Sequence, residues 1–193
     1  MHRRVALNAL IVLFASSCDR ADGHATGENC AGVIADSSVG PLRIGQSITD
    51  VRSRCQVLRD TLRVDHDYVE MQRVLAVQVE ADTVFAAINP EGRIWRFVID
   101  GGQLATADSV RIGTQLGDLV RRGAVGTVLE SAVFVHLPSR CGVAFALSGG
   151  GKFETGETVS TAQLSTLPAS TAVSRIVVDG SECSTRSRPN EEL

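Results

Sequence analysis

Of the histidines in this chain, only His66 has carboxylates beside it. It sits in Asp65-His66-Asp67-Tyr68, where two acids flank an imidazole that could hold a cation or accept a proton near neutral pH. Adjacent residues in a turn point apart instead of converging on one atom, so the segment reads as a solvated loop. His136 lies within Val133-Phe134-Val135-His136-Leu137, the pattern of a strand residue with one face inward. Gly149-Gly150-Gly151-Lys152 resembles part of a phosphate loop, but Phe153 follows the lysine where Ser or Thr is required, and no helix signal follows. Ser148 has no Gly-x-Ser-x-Gly frame. No catalytic, cofactor-binding or metal-ligating position is therefore assigned, and the chain is read as not an enzyme. An enzyme using His66 or the 149–160 loop is the lower-ranked alternative.

The cysteines are Cys18, Cys30, Cys55, Cys141 and Cys183. No two are close in sequence and no Cys/His cluster exists, which argues against a metal site. An odd count in an exported chain calls for one cysteine to be set apart. If Cys18 is lipidated, four remain for disulfides, and the preferred pairing is Cys30 with Cys55 and Cys141 with Cys183.

The beginning of the chain supports export. His2, Arg3 and Arg4 precede a run from Val5 to Phe14 that is apolar except for Asn8, and Ala15-Ser16-Ser17 supplies small residues before Cys18. That is the layout of a signal peptide, too short for a permanent span. Leu13-Phe14-Ala15-Ser16-Ser17-Cys18 resembles the bacterial lipoprotein signal, which implies acylation of Cys18. Ala15 stands where such signals usually carry Leu, so plain cleavage after Ser17, giving a secreted or periplasmic protein, is the alternative. The expected location is the bacterial cell envelope, with the membrane contacted through the lipid anchor.

Composition excludes some partners. The net charge is −3, and Lys152 is the single lysine among 19 Lys and Arg residues. No basic block is present, so no nucleic-acid role is expected. Aromatic residues make up only 4%, which leaves the core to Val, Leu, Ile and Ala.

The elements that would position any site come in two copies. Arg43-Ile44-Gly45-Gln46-Ser47-Ile48-Thr49-Asp50-Val51 recurs as Arg111-Ile112-Gly113-Thr114-Gln115-Leu116-Gly117-Asp118-Leu119. Ile44, Gly45, Asp50, Ile112, Gly113 and Asp118 are its structural positions. Ala-Asp-Ser precedes each copy, at 35–37 and 107–109. A helix follows each motif. The first has a capping box at Ser47 and Asp50; the second starts more weakly at Gln115. Ile48, Val51 and Cys55, and likewise Leu116, Leu119 and Val120, share a helix face. Strands are predicted at 74–79, 83–88 and 93–99, then 132–137, 141–147 and 173–178, with a long polar loop over 149–170. Arg-Ile near Asp-Gly closes both copies. The fold class is therefore α+β, two tandem repeats of a helix plus a three-stranded antiparallel meander forming one body. Residues 1–17 are the signal peptide, 18–34 the lipidated cysteine and flexible tether, 35–101 repeat 1, 102–183 repeat 2 and 184–193 a disordered tail.

Two copies of Ile-Gly with a helix and a meander in an exported chain resemble the tandem-repeat beta-lactamase inhibitor protein fold. The single unit is similar to the small lipoprotein of the outer-membrane barrel assembly machine. The resemblance implies a non-catalytic scaffold on the envelope that binds or helps assemble an unknown envelope protein, without cofactors. A secreted inhibitor of an envelope hydrolase is the alternative form of that reading.

Overall fold

Branched and aromatic residues at every second position give this chain its sheet. In the computed structural model, residues 30–64, 71–129, 132–149 and 153–180 are described. Three two-residue strands come first: β1 (Ile34–Ala35), β2 (Ser38–Val39) and β3 (Leu42–Arg43). Helix α1 (Ile48–Arg54) leads into β4 (Val57–Val64), β5 (Met71–Val79), β6 (Asp82–Ile88) and β7 (Ile94–Ile99). Helix α2 (Leu116–Arg121) leads into β8 (Val125–Leu129), β9 (Ala132–His136) and β10 (Val143–Leu147). A short β11 (Thr158–Val159) and α3 (Thr161–Leu164) precede the last strand, β12 (Val173–Val178). Among the described residues, nine strands form one antiparallel sheet in the order β11-β8-β9-β10-β12-β7-β6-β5-β4, and β1 to β3 form a second, small sheet.

One face of the large sheet is the core. Leu75, Val77 and Val79 of β5 point into it with Val84, Ala86 and Ile88 of β6. Phe97 and Ile99 of β7 and Ile176 and Val178 of β12 continue the layer to Phe145 of β10 and Val135 of β9. Val51 of α1, Leu116 and Leu119 of α2, Leu164 of α3 and Ile34, Val39 and Leu42 of the small sheet close it from the other side. Fully buried side chains such as Phe97, Phe145 and Leu119 each contribute about 1.5–3 kcal/mol by leaving water.

Strands β7 and β12 pair where the two halves meet, with Phe97 opposite Val178, Val98 opposite Val177 and Ile99 opposite Ile176. The Ile-Gly motifs sit at the two ends of this central pair and make the same bonds. The Gly45 amide donates to the Ile94 carbonyl, and the Gly113 amide to that of Val173. In return the Ile94 amide donates to Gln46, and the Val173 amide to Thr114. The next residues continue alike: Ile48 donates to Gly92, and Leu116 to Thr171. Gly45 and Gly113 turn this corner at φ of 83° and 85°, a left-handed conformation that a Cβ disfavours.

The structure changes several of these expectations. A three-stranded meander is too small: four strands follow α1, because Val57–Val64 is a strand as well. Its pattern hid it, since Leu58, Arg59, Asp60, Leu62 and Arg63 are all exposed and an edge strand need not alternate. The strand Val125–Leu129 was missed for a similar reason, with Val125 and Leu129 exposed. The 149–170 segment is no plain loop. Its described part carries β11 and α3, and Val159, Leu164 and Leu167 are buried. The corner bonds align Ile94 with Val173, so the Asp100-Gly101 and Asp179-Gly180 closes correspond while the two Arg-Ile pairs do not. Ser47 caps α1, accepting from the Asp50 amide at 3.2 Å. Asp50 takes the Ser47 hydroxyl at 2.7 Å instead of closing the box on a backbone amide. The complete capping box lies at α3, between Ser160 and Gln163. Gln115 makes no side-chain cap at α2, as expected.

The corner predicts a matched pair of mutational effects. Apart from the adjacent residues of the chain, nothing lies within 4 Å of a Cβ built on Gly45 or Gly113, so Gly45→Ala and Gly113→Ala meet backbone strain alone and each lose about 1–2 kcal/mol. A Cβ on Gly142 would sit 1.8 Å from the Asp36 carbonyl oxygen, so Gly142→Ala destabilises far more. Urea denaturation of the three variants measures the difference.

Candidate functional site

The second face of the large sheet lies outside the core cluster among the described residues. Opposite neighbours in an antiparallel pair share a face, so the register identifies its members. Arg59 lies opposite Ala76, Thr61 opposite Val74 and Arg63 opposite Gln72. Phe85 is opposite Val98 and Ala87 opposite Arg96, and Ala144 is opposite Val177. Phe134 and His136 continue the row on β9. Val74, Ala76, Ala87, Phe134, His136 and Ala146 keep 5–9% exposure, whereas most core-face residues of these strands have none. Phe85, Trp95, Arg96, Val98, Ala144 and Val177 are half-buried, and the Arg96 Nε and His136 Nδ1 atoms are buried.

Two features shape that face. At the β4 end a groove of about 260 Å³ is lined by Leu58, Arg59, Thr61, Arg63, Val74, Ala76, Thr83 and Phe85. The Arg63 guanidinium lies 4.6 Å from the Phe85 ring centre, a cation–π distance. Near the middle, the register shift between β6 and β7 inserts Trp95 between Ile94 and Arg96. Such a bulge sets two residues against one, and here the Arg96 guanidinium stacks 4.3 Å over the Trp95 ring. Arg175 donates to Asp100 at 2.6 Å, an ion pair across the β12–β7 join.

Charges on the other side of the molecule are engaged in pairs. Asp60 on β4 takes Arg52 of α1 and Arg73 of β5 at 2.7 Å each. The hydrogen bond from Arg73 holds the Asp60 carboxyl below the usual range, against the opposing effect of burial and with help from the charges of Arg73 and Arg52. Asp36 and Asp108, the acids of the two Ala-Asp-Ser leaders, both face Arg140 in the β9–β10 turn, at 3.7 and 2.8 Å. The chain just ahead of each leader is also joined, with the Ile34 amide donating to the Ala105 carbonyl. Burial opposes ionisation of Asp108, but hydrogen bonds from Thr106 and Arg140 outweigh it and lower its pKa. Arg122 donates to Asp108 as well, at 3.2 Å.

The sequence-chosen residues fall in structural places. Ile44, Gly45, Ile112 and Gly113 form the two corners. Asp50 is at the start of α1 and Asp118, paired with Arg121, at the start of α2. A polar cavity of about 460 Å³ surrounds the second corner. Its arginines are engaged: Arg111 donates to Gln103 and Arg122 to Asp108. Cys30 and Cys55 form a disulfide and both are buried, so Cys30 and Ile34 pack in the body. Cys141 is disulfide-bonded, with its sulfur 3.6 Å from an Asp36 oxygen. Cys18, Cys183 and His66 lie outside the described residues. His136 is on β9, as its pattern indicates. Among the described residues, no three His, Cys, Asp or Glu side chains group as metal ligands. The aromatic and arginine residues of the uncovered face were not singled out from the sequence. The signal that could have found them is Thr83-Val84-Phe85-Ala86-Ala87-Ile88, apolar on both faces of one strand.

No family model and no curated protein matches this chain. Among solved structures, the uncharacterized protein yfeY from Escherichia coli is similar, with a TM-score of 0.52 at 16% identity. The match covers 77% of this chain and 99% of that one, and the likeness is one of fold.

Arg140 stands between two acids from separate segments and is only 16% exposed in its side chain. Arg140→Met leaves Asp36 and Asp108 facing one another and costs about 1–3 kcal/mol at neutral pH. The sign with pH follows from the lowered pKa of Asp108. Its ionised form stabilises the fold above the ordinary carboxylate range, near pH 4, and that contribution disappears as pH falls through the folded value. The parent and the variant therefore differ most near pH 7 and converge in acid, as thermal melts across pH will read.

Proposed function

We propose that this chain is an exported, lipid-anchored protein of the bacterial envelope that acts as a non-catalytic binding or assembly module for another envelope protein. The observation that carries the reading is the second sheet face, which no described helix or strand covers. It is a broad surface of small residues with Phe85, Trp95 and Phe134 set into it and arginines held over two of the rings. Aromatic and arginine side chains of this kind are enriched where proteins meet. The buried Cys30–Cys55 disulfide fits an oxidising compartment, and the basic head, apolar run and Cys18 fit export with acylation.

The same reading makes the body two copies of one unit, of the kind found in the beta-lactamase inhibitor proteins. Equivalent bonds at the Gly45 and Gly113 corners support it. So does the central register, in which exchanging the halves maps the Val98–Val177 pair onto itself. The two units then share a helix and four strands, with β11 and α3 added in the second, and joining them by β7 and β12 makes a surface twice as wide as one unit offers.

Photo-crosslinking in intact envelopes tests the function. With a photoreactive phenylalanine at Trp95, on the uncovered face, discrete protein adducts are expected; at Thr49, exposed on α1, they are not. Radiolabelled palmitate should enter the parent and be absent from Cys18→Ser. Absence of adducts from the Trp95 site, or identical adducts from both, contradicts a binding role for this face.

A further inference from the structure

The two ends of the large sheet are finished differently. At one end β11 is two residues long and runs straight into α3, which blunts the edge. At the other end β4 runs for eight residues and, among the described residues, pairs only with β5. Along its outer side, backbone donors and acceptors have no strand partner among the described residues. Common defences of an edge strand are proline, charged side chains, a bulge, shortness or a covering element. The described structure gives β4 a bulge at Leu58 and the charges of Arg59, Asp60 and Arg63, but no proline, no shortness and no described covering element. Leu58 and Leu62 are instead 49% and 59% exposed.

Building on the binding-module reading, we propose that β4 accepts an extended acidic segment of a partner protein as an added strand, with partner carboxylates meeting Arg59 and Arg63. A free row of amides and carbonyls is satisfied by another extended backbone, which a lipid or nucleic-acid surface does not provide. Charge selects the class of peptide. The groove beside the edge contains Arg59 and Arg63 and no acid. Arg59 has no ion pair among the described residues, and Arg63 is held in place over Phe85. Asp60 does not neutralise them, because it lies on the opposite face and is occupied by Arg52 and Arg73. Arg59 and Arg63 stand four positions apart on one face, about 13 Å along a strand. An added strand must therefore carry its acids four residues apart, with an apolar or β-branched residue midway, opposite Thr61.

Selection of displayed random peptides on the full chain tests this. Enriched peptides should carry two acids at that spacing. Their affinity should fall about tenfold or more on the double reversal Arg59→Glu, Arg63→Glu, and lysines in place of the acids should restore it. Hydrogen exchange should slow over Val57–Val64 when the peptide binds. Selected peptides without the spacing, affinity indifferent to the reversal, or protection away from β4 would overturn the proposal. So would binding of phosphatidylglycerol vesicles through the same arginines with no peptide selected, which would assign them to a lipid surface. Trp95 adducts that persist in the reversal variant while β4 stays unprotected sink this inference and leave the binding-module reading standing. Loss of Trp95 adducts from the parent chain sinks that wider reading.

Discussion

The pairing of β7 with β12 is the constraint on which the other elements depend. It joins four strands that follow α1 to the strands that follow α2, and so decides that one core exists instead of two. Phe97 and Ile99 on one side and Ile176 and Val178 on the other are buried in the same layer. Separating them would expose two strand edges and split that layer. The Ile-Gly corners act on the same two strands. Each sends a glycine amide to the first residue of β7 or β12 and takes an amide back, so the helices are set relative to the joint and not to the sheet at large.

The helices, the small sheet and the 153–172 segment all lie on one face, and no described helix or strand covers the other. A two-layer arrangement buries one side of a sheet and leaves the second to water or to another molecule. This chain has not made that second side polar throughout. Alanine and valine form its floor and rings stand on it. The charged side chains there are arginines, together with Asp100 at the central ion pair. That composition is costly for a surface meant only for solvent and useful for one that is intermittently covered.

The sequence made the corners legible because a glycine in the left-handed conformation, a capped helix start and a repeated Arg-Ile-Gly are local signals that tertiary packing seldom overrides. It made the long central strands legible because Leu75, Val77 and Val79 repeat at the strand period. It did not reveal β4 and β8, since strands near an edge bury little and lose the alternation that identifies them. It also hid β11 and α3 within a glycine-rich, polar stretch, where Val159, Leu164 and Leu167 enter the core as single anchors. The uncovered face was hidden for the opposite reason. Strands apolar on both sides read as buried, so an apolar second face cannot be told from a second core by pattern alone. His136 is a strand-face residue, as its alternation indicates, while no sequence signal marks the aromatic residues beside it.

Native-state hydrogen exchange across the sheet tests most directly whether the two halves are one folding unit. Amides of Phe97–Ile99 and Ile176–Val178 should exchange only through global unfolding, with the same limiting free energy as the cores of β5 and β10. Exchange of either half at a clearly lower free energy, with the other half still protected, would contradict a single sheet held at its centre.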